Sequence, residues 1–272
     1  MSAVLAPWLQ AARLRAQQPP AQPRLPLWVA GQAVGSVVDG VLSEISLQRL
    51  LDKRYQLSKE ELGGMPAWHL RVPAEAATDA LNTLAATLRD ANLCGPWRNE
   101  QLAVCNTQGE RVATVERGAV RVLGITTVAV HLVGLAPDGR MWVQKRALTK
   151  PNDPGLWDTL MGGMIAATDS LEQALARETW EEAGLRVADL HHITHGGHVL
   201  FSRPSSEAGG TGYMVERIDW FHATVPEGKA PSNQDGEVDE FALRSTDELQ
   251  AHVAQDRFTL EAALVMAAHW GL

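Results

Sequence analysis

The sequence predicts a two-module α/β protein, and three observations support this fold class. Thr126–Leu135 is a nearly continuous β-branched and apolar run, which is typical of a buried strand. Ala76–Leu93 carries apolar residues at helical spacing and is followed by the helix-stopping pair Gly95-Pro96. The chain has 272 residues and 45% hydrophobic content, enough for one large domain or two modest ones. We expect an N-terminal segment with a hinge, a small α+β module and a larger α/β domain, over residues 1–24, 25–117 and 118–272.

The first segment indicates an amphipathic helix. Val4 to Arg15 places its apolar residues on one side, as in a helix that docks on a protein surface. The first 38 residues contain arginines but no Asp or Glu, so an organelle targeting segment is the alternative. A proline-rich hinge follows and ends at Pro26.

Turn residues and apolar periodicity divide the rest of the chain into short elements. A new sheet is expected to begin at Thr126. The expected elements are a hairpin over Leu27–Val38 turning at Gly31-Gln32, the helix Ala76–Leu93, a hairpin of Gln101–Cys105 and Arg111–Glu116, paired strands Thr126–Leu135 and Met141–Lys145, a Gly/Pro-rich loop over Lys150–Gly163, a helix over Ser170–Ala183, strands near Ile193–Phe201 and Tyr213–Thr224, and helices near Thr246–Val253 and Thr259–Trp270.

Composition excludes several function classes. A formal net charge of −8, without a basic block, argues against a nucleic-acid polymer or an anionic membrane surface as partner. No apolar stretch approaches the roughly 18 residues of a membrane span. The two cysteines, Cys94 and Cys105, have no metal-ligand spacing, so neither a disulfide framework nor a zinc knuckle is expected. We expect a soluble protein in a reducing, cytoplasmic setting.

The helix over residues 170–183 has well-marked ends. Asp169 precedes it with Glu172 three residues on, which predicts a capping box, and Gly184 lies where a left-handed C-terminal cap belongs. At about 100° per residue, one face combines apolar and acidic side chains within roughly a 120° arc. The residues of that face are Leu171, Ala174, Leu175, Glu178, Glu181 and Glu182.

Carboxylates on the apolar side of a helix need a compensating charge, because buried negative charge is costly when nothing positive lies against it. A divalent cation is the natural compensator. Glutamates without His or Cys suit Mg²⁺ or Mn²⁺ and not zinc. The alternative is a solvated acidic face on which Arg177 pairs with Glu181 one turn on.

The stretch Gly163–Leu185 resembles the Nudix box, whose pattern is Gly, five residues, Glu, seven residues, Arg-Glu, an aliphatic residue, any residue, Glu-Glu, any residue, Gly and an aliphatic residue. Asp169 replaces the first Glu, and Thr179 puts a small polar group where an aliphatic residue is expected. The matching positions are Gly163, Arg177, Glu178, Glu181, Glu182, Gly184 and Leu185.

This resemblance implies a Nudix hydrolase whose domain is an α/β/α sandwich with a mixed sheet. It makes Glu178 and Glu182 the principal metal ligands, while Glu181 shares in ligation or positions the attacking water. Arg177 then orients the glutamates. The implied reaction is metal-dependent phosphoryl transfer to water, and no metal role is carried onto Asp169.

Segments outside the box are similar to one Nudix subgroup, which has an N-terminal module of uncharacterised type and is related to the Nudix domain that some fungi fuse to thiamin pyrophosphokinase. Relatives in yeast and plants remove phosphate from damaged thiamin diphosphate, such as its oxy and oxo forms. The resemblance implies a housecleaning enzyme that converts a thiamin-diphosphate-like compound to the monophosphate and phosphate. The segments are Pro96–Glu100, Val115–Ala119, the strand with His131, Lys150 with Pro154-Gly155, and Asp235–Phe241.

Four residues before the box are candidates for substrate contact. Lys145, Arg146 and Lys150 could meet a terminal phosphate, or be ordinary solvated cations at a strand end. Trp157 could stack on a flat ring, or be a core or interface tryptophan.

Other candidates lie in or around the box. Gly162 and Gly163 form the loop that leads into it. Glu237 could be an extra metal ligand or the general base, or a plain surface acid. Trp180 is expected to point away from the Glu face and to contact the N-terminal module or the second subunit of a homodimer. Four closely spaced histidines are expected to lie at strand edges and in loops, and a zinc site is the alternative. They are His191, His192, His195 and His198.

A small-molecule diphosphate is the expected partner, and three alternatives to the thiamin-type hydrolase remain open. Within hydrolases, nucleotide sugars, ADP-ribose and dinucleotides are candidate substrates. An isopentenyl-diphosphate isomerase would need a protonating cysteine, and Cys94 and Cys105 lie outside the expected second domain. A sensor that binds a nucleotide diphosphate without cleaving it can lose the box glutamates, which are all present here.

Overall fold

A computed structural model describes residues 5–46 and 55–272. Val4, in the first predicted helix, lies outside the described residues. The helices are α1 (Leu5–Ala16), α2 (Val41–Ser46), α3 (Ala77–Asp90), α4 (Leu171–Ala183), α5 (Glu207–Gly210), α6 (Thr246–Val253) and α7 (Leu260–His269). The strands are β1 (Arg24–Val29), β2 (Gln32–Val38), β3 (Gln56–Leu62), β4 (Met65–Arg71), β5 (Gln101–Cys105), β6 (Arg111–Glu116), β7 (Thr126–Leu135), β8 (Met141–Arg146), β9 (Trp157–Asp158), β10 (Met161–Met164), β11 (His191–Ser205), β12 (Gly212–Thr224) and β13 (Val238–Arg244).

The largest sheet has seven strands of mixed direction. Its main order is β11-β12-β7-β8-β13, while β10 pairs with β7 and β9 pairs with β8. β12 runs parallel to β7, and the other pairs are antiparallel. β7 lies in the middle of this sheet with both faces covered, which explains its continuous apolar run.

Helices cover both faces of the seven-stranded sheet. Ala174 and Leu175 of α4 share a core with Val130 of β7 on one face. On the other face, α1, α6 and α7 share a core with Val133. This arrangement confirms the predicted α/β fold class, an α/β/α sandwich with a mixed sheet. Within the described part of the chain, no helix combines the length and apolar character needed to cross a bilayer.

An N-terminal α+β region precedes the sandwich, as predicted. Its four-stranded sheet has the order β2-β1-β4-β3. One face of α3 is buried through Leu81, Leu84 and Leu88, and these residues share a core with that sheet and with the β5-β6 hairpin. This hairpin leads directly into the sandwich, so the region lies beside the larger sheet.

Several predicted elements need correction. α2, β3, β4 and β13 were not expected, and the predicted loop over 150–163 contains β9 and β10. The first hairpin turns at Ala30-Gly31, both with positive φ, and not at Gly31-Gln32. α3 ends at Asp90, before the predicted Leu93, because Asn92 adopts a left-handed φ of 57°.

Candidate active site

The N-terminus of α4 is fixed by a capping box. The hydroxyl of Ser170 accepts a hydrogen bond from the backbone N–H of Gln173 at 3.2 Å, and the Gln173 side chain accepts one from Ser170 N–H at 2.7 Å. The prediction that Asp169 and Glu172 form this box is therefore wrong by one residue. Gly184 ends the helix at a left-handed φ of 61°, as predicted.

Glu182 is almost completely buried, with 2% exposure. Its Oε2 accepts hydrogen bonds from Gln144 Nε2 at 2.7 Å and from the N–H of Gly162 at 3.0 Å. Its Oε1 lies 3.4 Å from Lys150 Nζ. Burial raises the pKa of Glu182, while the charge of Lys150 and these hydrogen bonds oppose that rise. The carboxylate is thus held in one orientation, with one oxygen toward Lys150.

Glu178 lies one turn before Glu182 on the same face of α4. Burial raises the pKa of Glu178 to about 7, although the charge of Arg177 opposes it. This carboxyl group can take its position because residue 163 is glycine. A Cβ on Gly163 would lie 2.2 Å from Glu178 Cδ, well inside contact distance.

Arg177 connects three carboxylates. Its Nη1 donates hydrogen bonds to Glu178 at 2.9 Å and to Glu181 at 3.0 Å, and its Nε donates to Asp169 at 2.9 Å. Burial lowers the pKa of Arg177, but the charges of Glu178, Glu181 and Asp169 raise it above the usual value. If the acidic face of α4 were simply solvated, which is the alternative to a metal site, Arg177 would be expected to pair with Glu181, as it does here. That alternative does not account for Glu182, which solvent does not reach.

Thr179, the departure from the aliphatic position, is fully buried. Its hydroxyl donates a hydrogen bond to the carbonyl of Leu175 at 2.6 Å, one turn earlier in α4. The polar atom is therefore satisfied inside the helix, and the whole side chain is buried.

The acidic face of α4 opens on a pocket of about 670 Å³, which lies between the seven-stranded sheet and the N-terminal α+β region. Eleven Asp or Glu and seven Lys or Arg side chains line it, so its lining has an excess of negative charge. The structure brings nine of the predicted site residues together here: Arg146, Lys150, Gly162, Gly163, Arg177, Glu178, Glu181, Glu182 and Glu237.

Two predicted substrate contacts, Lys145 and Trp157, do not line this pocket. β8 sends alternate side chains to opposite faces, so Arg146 reaches the pocket and its neighbour Lys145 does not. Trp157 packs on the core that α7 shares with the sheet, and the guanidinium of Arg244 lies 5.9 Å from its ring centroid. We therefore leave both residues out of the substrate site.

The pocket cations nearest to Glu182 already have partners. Arg146 Nη1 donates to Asp158 at 3.2 Å, and Lys150 forms ion pairs with both Glu182 and Glu237. Burial alone would raise the pKa of Glu237, but the hydrogen bond and charge of Lys150 hold that pKa below its usual range. Lys150 thus joins a carboxylate of α4 to one in the loop before β13.

Residues 125–264, which contain this sheet, α4 and its carboxylates, match the NUDIX domain family. The chain belongs to the Nudix family. The uncharacterized protein YJR142W of Saccharomyces cerevisiae is 26% identical over 186 residues, covering 62% of this chain and 53% of that protein. Nudix hydrolase 20, chloroplastic, of Arabidopsis thaliana is 30% identical over 175 residues, covering 62% of this chain and 45% of that protein. The chain spans about half the length of these relatives.

A solved structure, DR0079 from Deinococcus radiodurans, aligns with a TM-score of 0.49 at 17% identity. The alignment covers 63% of this chain and 98% of that chain. In the present Nudix protein, the box runs from β10 through the Ser170 cap to Gly184.

The Nudix fold implies a divalent metal, and the donor set of this pocket fits one. Glu178, Glu181 and Glu182 line the pocket and could supply oxygen ligands, which hard cations prefer. Within the described residues, no three His, Cys, Asp or Glu side chains already form a metal cage. The glutamates are instead paired with Arg177 and Lys150 of the same Nudix domain.

One wall of the pocket comes from outside the Nudix match, and no residue in it was predicted to belong to the site. Arg98, Glu100 and Arg117 of the N-terminal α+β region line the pocket. They belong to Pro96–Glu100 and Val115–Ala119, two segments noted for their resemblance to a Nudix subgroup. Their position could not be read from spacing, because the approach of the two sheets depends on the tertiary fold.

The remaining candidates lie away from the Nudix pocket. Neither Cys94 nor Cys105 lines it. Trp180 lies on the outer side of α4 and is 46% exposed, with the guanidinium of Arg186 at 5.7 Å from its ring centroid. The histidine group on β11 is exposed, and within the described residues it forms no metal cluster: His191, His192, His195 and His198.

Proposed function

We propose that this Nudix protein is a metal-dependent hydrolase that cleaves the diphosphate of a small metabolite. One observation carries the proposal. Glu178 and Glu182 turn their carboxyl groups from α4 into a pocket whose lining has eleven acidic side chains against seven basic ones. A diphosphate would add negative charge to this pocket, so a cation must enter with it. A phosphate-processing Nudix site with this charge balance therefore depends on a divalent metal.

The residues of the pocket divide the work among them. Glu178, Glu182 and Glu181 would hold Mg²⁺ or Mn²⁺, which when bound neutralises phosphate charge and lowers the pKa of a bound water. Gln144 and the N–H of Gly162 fix the orientation of Glu182 by their hydrogen bonds to Oε2.

Two groups complete the proposed chemistry. Arg177 keeps Glu178 and Glu181 at a fixed separation, because one nitrogen bonds both. Lys150 offers its ammonium group to a phosphate oxygen from its position between Glu182 and Glu237. Glu237 is the acid from outside the box that would accept a proton from the attacking water or join the metal.

The proposed substrate is a thiamin-diphosphate-like compound, such as oxythiamin or oxothiamin diphosphate, and the products are the monophosphate and phosphate. The subgroup resemblance supports this choice. The charge of the pocket adds support, because Glu207 lines the part that does not belong to α4, beside Glu216 and Glu261, which pair with Arg121 and Arg203. A cationic ring such as the thiazolium of thiamin compounds suits an acidic lining. ADP-ribose, nucleotide sugars and dinucleotides are the competing substrates.

Two features disfavour the other classes of function. An isomerase would need a cysteine in the pocket, and neither Cys94 nor Cys105 lines it. A sensor without activity has no need of buried carboxylates, whose desolvation is costly. Glu182 is retained here at 2% exposure. We also propose a cytoplasmic setting. A further proposal is a homodimer through Trp180, and light scattering of the wild type and of Trp180→Ala tests this oligomeric state.

The experiment measures phosphate release from oxythiamin diphosphate, thiamin diphosphate, ADP-ribose, a nucleotide sugar and a dinucleotide, with Mg²⁺ and with a chelator. We expect release that vanishes on chelation and that falls by about 100-fold or more in Glu182→Gln. Glu172→Gln, an exposed acid on the same helix, is the matched control and should keep full turnover. Full turnover by Glu182→Gln would move the chemistry elsewhere, and a higher kcat/KM for ADP-ribose would replace the thiamin substrate.

A further inference from the structure

We propose that the N-terminal α+β region supplies an anion-binding residue to the active site, Arg98, which binds a phosphate group of the substrate. The inference rests on the proposed diphosphate hydrolysis and places part of the substrate site outside residues 125–264, the Nudix match. Arg98 lines the same pocket as Glu178, Glu182 and Glu237.

The pairing of charges in the pocket sets Arg98 apart. Among the described residues, its guanidinium is the one Lys or Arg group of the lining with no carboxylate partner. A cation that no internal acid neutralises is available to an incoming anion. The other pairs are Arg117–Glu100 at 2.7 Å, Arg121–Glu216 at 2.8 Å, Arg146–Asp158 at 3.2 Å, Lys150–Glu182 at 3.4 Å, Arg177–Asp169 at 2.9 Å and Arg203–Glu261 at 2.9 Å.

Hydrogen bonds hold the loop that carries Arg98, although the Arg98 side chain itself is exposed. The backbone N–H of Arg98 donates to Glu116 at 2.7 Å, and Glu116 is 1% exposed. The two chain neighbours of Arg98 bond to each other, because Trp97 Nε1 donates a hydrogen bond to Asn99 Oδ1 at 3.0 Å. Asn99 adopts a left-handed φ of 55°. The guanidinium of Arg89 lies 4.6 Å from the Trp97 ring centroid. These contacts fix the backbone from which the Arg98 side chain extends into the pocket.

Arg98 also shares the metal side of the pocket, because it lines the same cavity as Lys150, Glu178 and Glu182. The guanidinium therefore faces the cavity in which a substrate phosphate would contact Lys150. Its planar fork can donate two parallel hydrogen bonds to phosphate oxygens, which gives orientation as well as attraction.

Steady-state kinetics with the best substrate of the panel test this inference in the full chain. We expect Arg98→Gln to raise KM about tenfold while kcat stays within about twofold, because the contact binds substrate and transition state alike. Arg98→Lys should recover part of the loss, since it keeps the charge and loses the fork. Arg13→Gln, an exposed arginine of α1 outside the pocket, should match the wild type. An unchanged KM in Arg98→Gln overturns the inference.

Calorimetric binding of imidodiphosphate with Mg²⁺ separates this inference from the proposed function, since it needs no turnover. We expect the Kd of Arg98→Gln to be about tenfold weaker than that of the wild type, with Arg13→Gln unchanged. This result would support the role of Arg98 even if the wild type hydrolysed no compound of the panel, which would reject the proposed hydrolysis alone. Equal Kd values for wild type and Arg98→Gln, or no binding by either, overturn the role of Arg98.

Discussion

Gly163 and Glu178 approach each other so closely that residue 163 has no room for a side chain. A Cβ on Gly163 would lie 2.2 Å from Glu178 Cδ and 2.4 Å from its Oε1. β10 therefore runs directly against the acidic face of α4. The position of one proposed metal ligand depends on the absence of a single methyl group from the neighbouring strand.

Gly163→Ala is expected to reduce kcat by about 100-fold, because a displacement of about 1 Å in a catalytic group can cost that much. The atoms that a Cβ at residue 163 would meet lie at the end of the flexible Glu178 side chain. β10 and α4 therefore need not move, and the midpoint of thermal unfolding should change little. Activity assays and a thermal melt check both statements. The double variant Gly163→Ala with Glu178→Gln should lose little more than Gly163→Ala alone, and fully additive losses would contradict the coupling.

Local signals in the sequence predicted α4 and its acidic face, because both depend on residue spacing along one helix. The same signals misplaced the N-cap by one residue. Asp169 and Ser170 are both good caps, and the choice was decided by Arg177, which binds the Asp169 carboxylate at 2.9 Å. A capping pattern considers only the residues at the start of the helix. It therefore does not include Arg177, which lies two turns further along.

Non-local structure explains what the sequence did not predict. β9 has two residues and β10 has four, too few for a recognisable alternation, and each forms because a neighbouring strand offers hydrogen bonds. Arg98 could not be placed in the pocket because it precedes the Nudix match and lines the same cavity as α4 only through the packing of the N-terminal region against the larger sheet. Lys145 and Arg146 looked equivalent, although strand alternation sends them to opposite faces.

Lys150→Met and Lys145→Met form a matched pair of variants. Lys150 is the cation that contacts both Glu182 and Glu237, so its replacement should reduce kcat/KM about tenfold or more. Lys145 lies outside the pocket lining, so its replacement should leave kcat/KM unchanged. Rates measured with Mg²⁺ at saturating and low substrate check this difference. Equal losses in the two variants would place Lys145 in the site after all.

Thr179→Val tests whether the departure from the aliphatic position costs stability. The Thr179 hydroxyl is buried but bonds only the carbonyl of Leu175 in its own helix, a contact whose loss leaves that carbonyl its usual helical partner. We expect the free energy of unfolding to change by less than about 1 kcal/mol, with activity retained. Thr179→Ala, which also removes a methyl group, should be the less stable variant. Denaturant titration of both proteins measures the difference.

Glu216 and Arg121 give the structure a pH-dependent contribution to stability. Burial raises the pKa of Glu216, but the Arg121 charge and the hydrogen bonds from Thr127 and Arg121 outweigh it and hold that pKa below 4.5. A carboxyl whose folded pKa is depressed adds stability above its unfolded pKa, and this stability is lost as pH falls through the folded pKa. The contribution should therefore be complete at neutral pH and disappear below about pH 4.5.

Glu216→Gln removes one partner of this pair and leaves Arg121 buried without its counter-charge, since the Arg121 side chain is only 11% exposed. We expect a loss of about 3–5 kcal/mol in the free energy of unfolding at pH 7. The gap to the wild type should begin to narrow as pH falls below about 4.5, because the carboxyl is then protonated in the unfolded chain, and it should close as pH passes the lower folded pKa. Urea titrations from pH 7 to pH 3.5 measure it, with the exposed Glu227→Gln as control. A gap that stays constant over this range would show that Glu216 stabilises the fold by its hydrogen bonds and not by its charge.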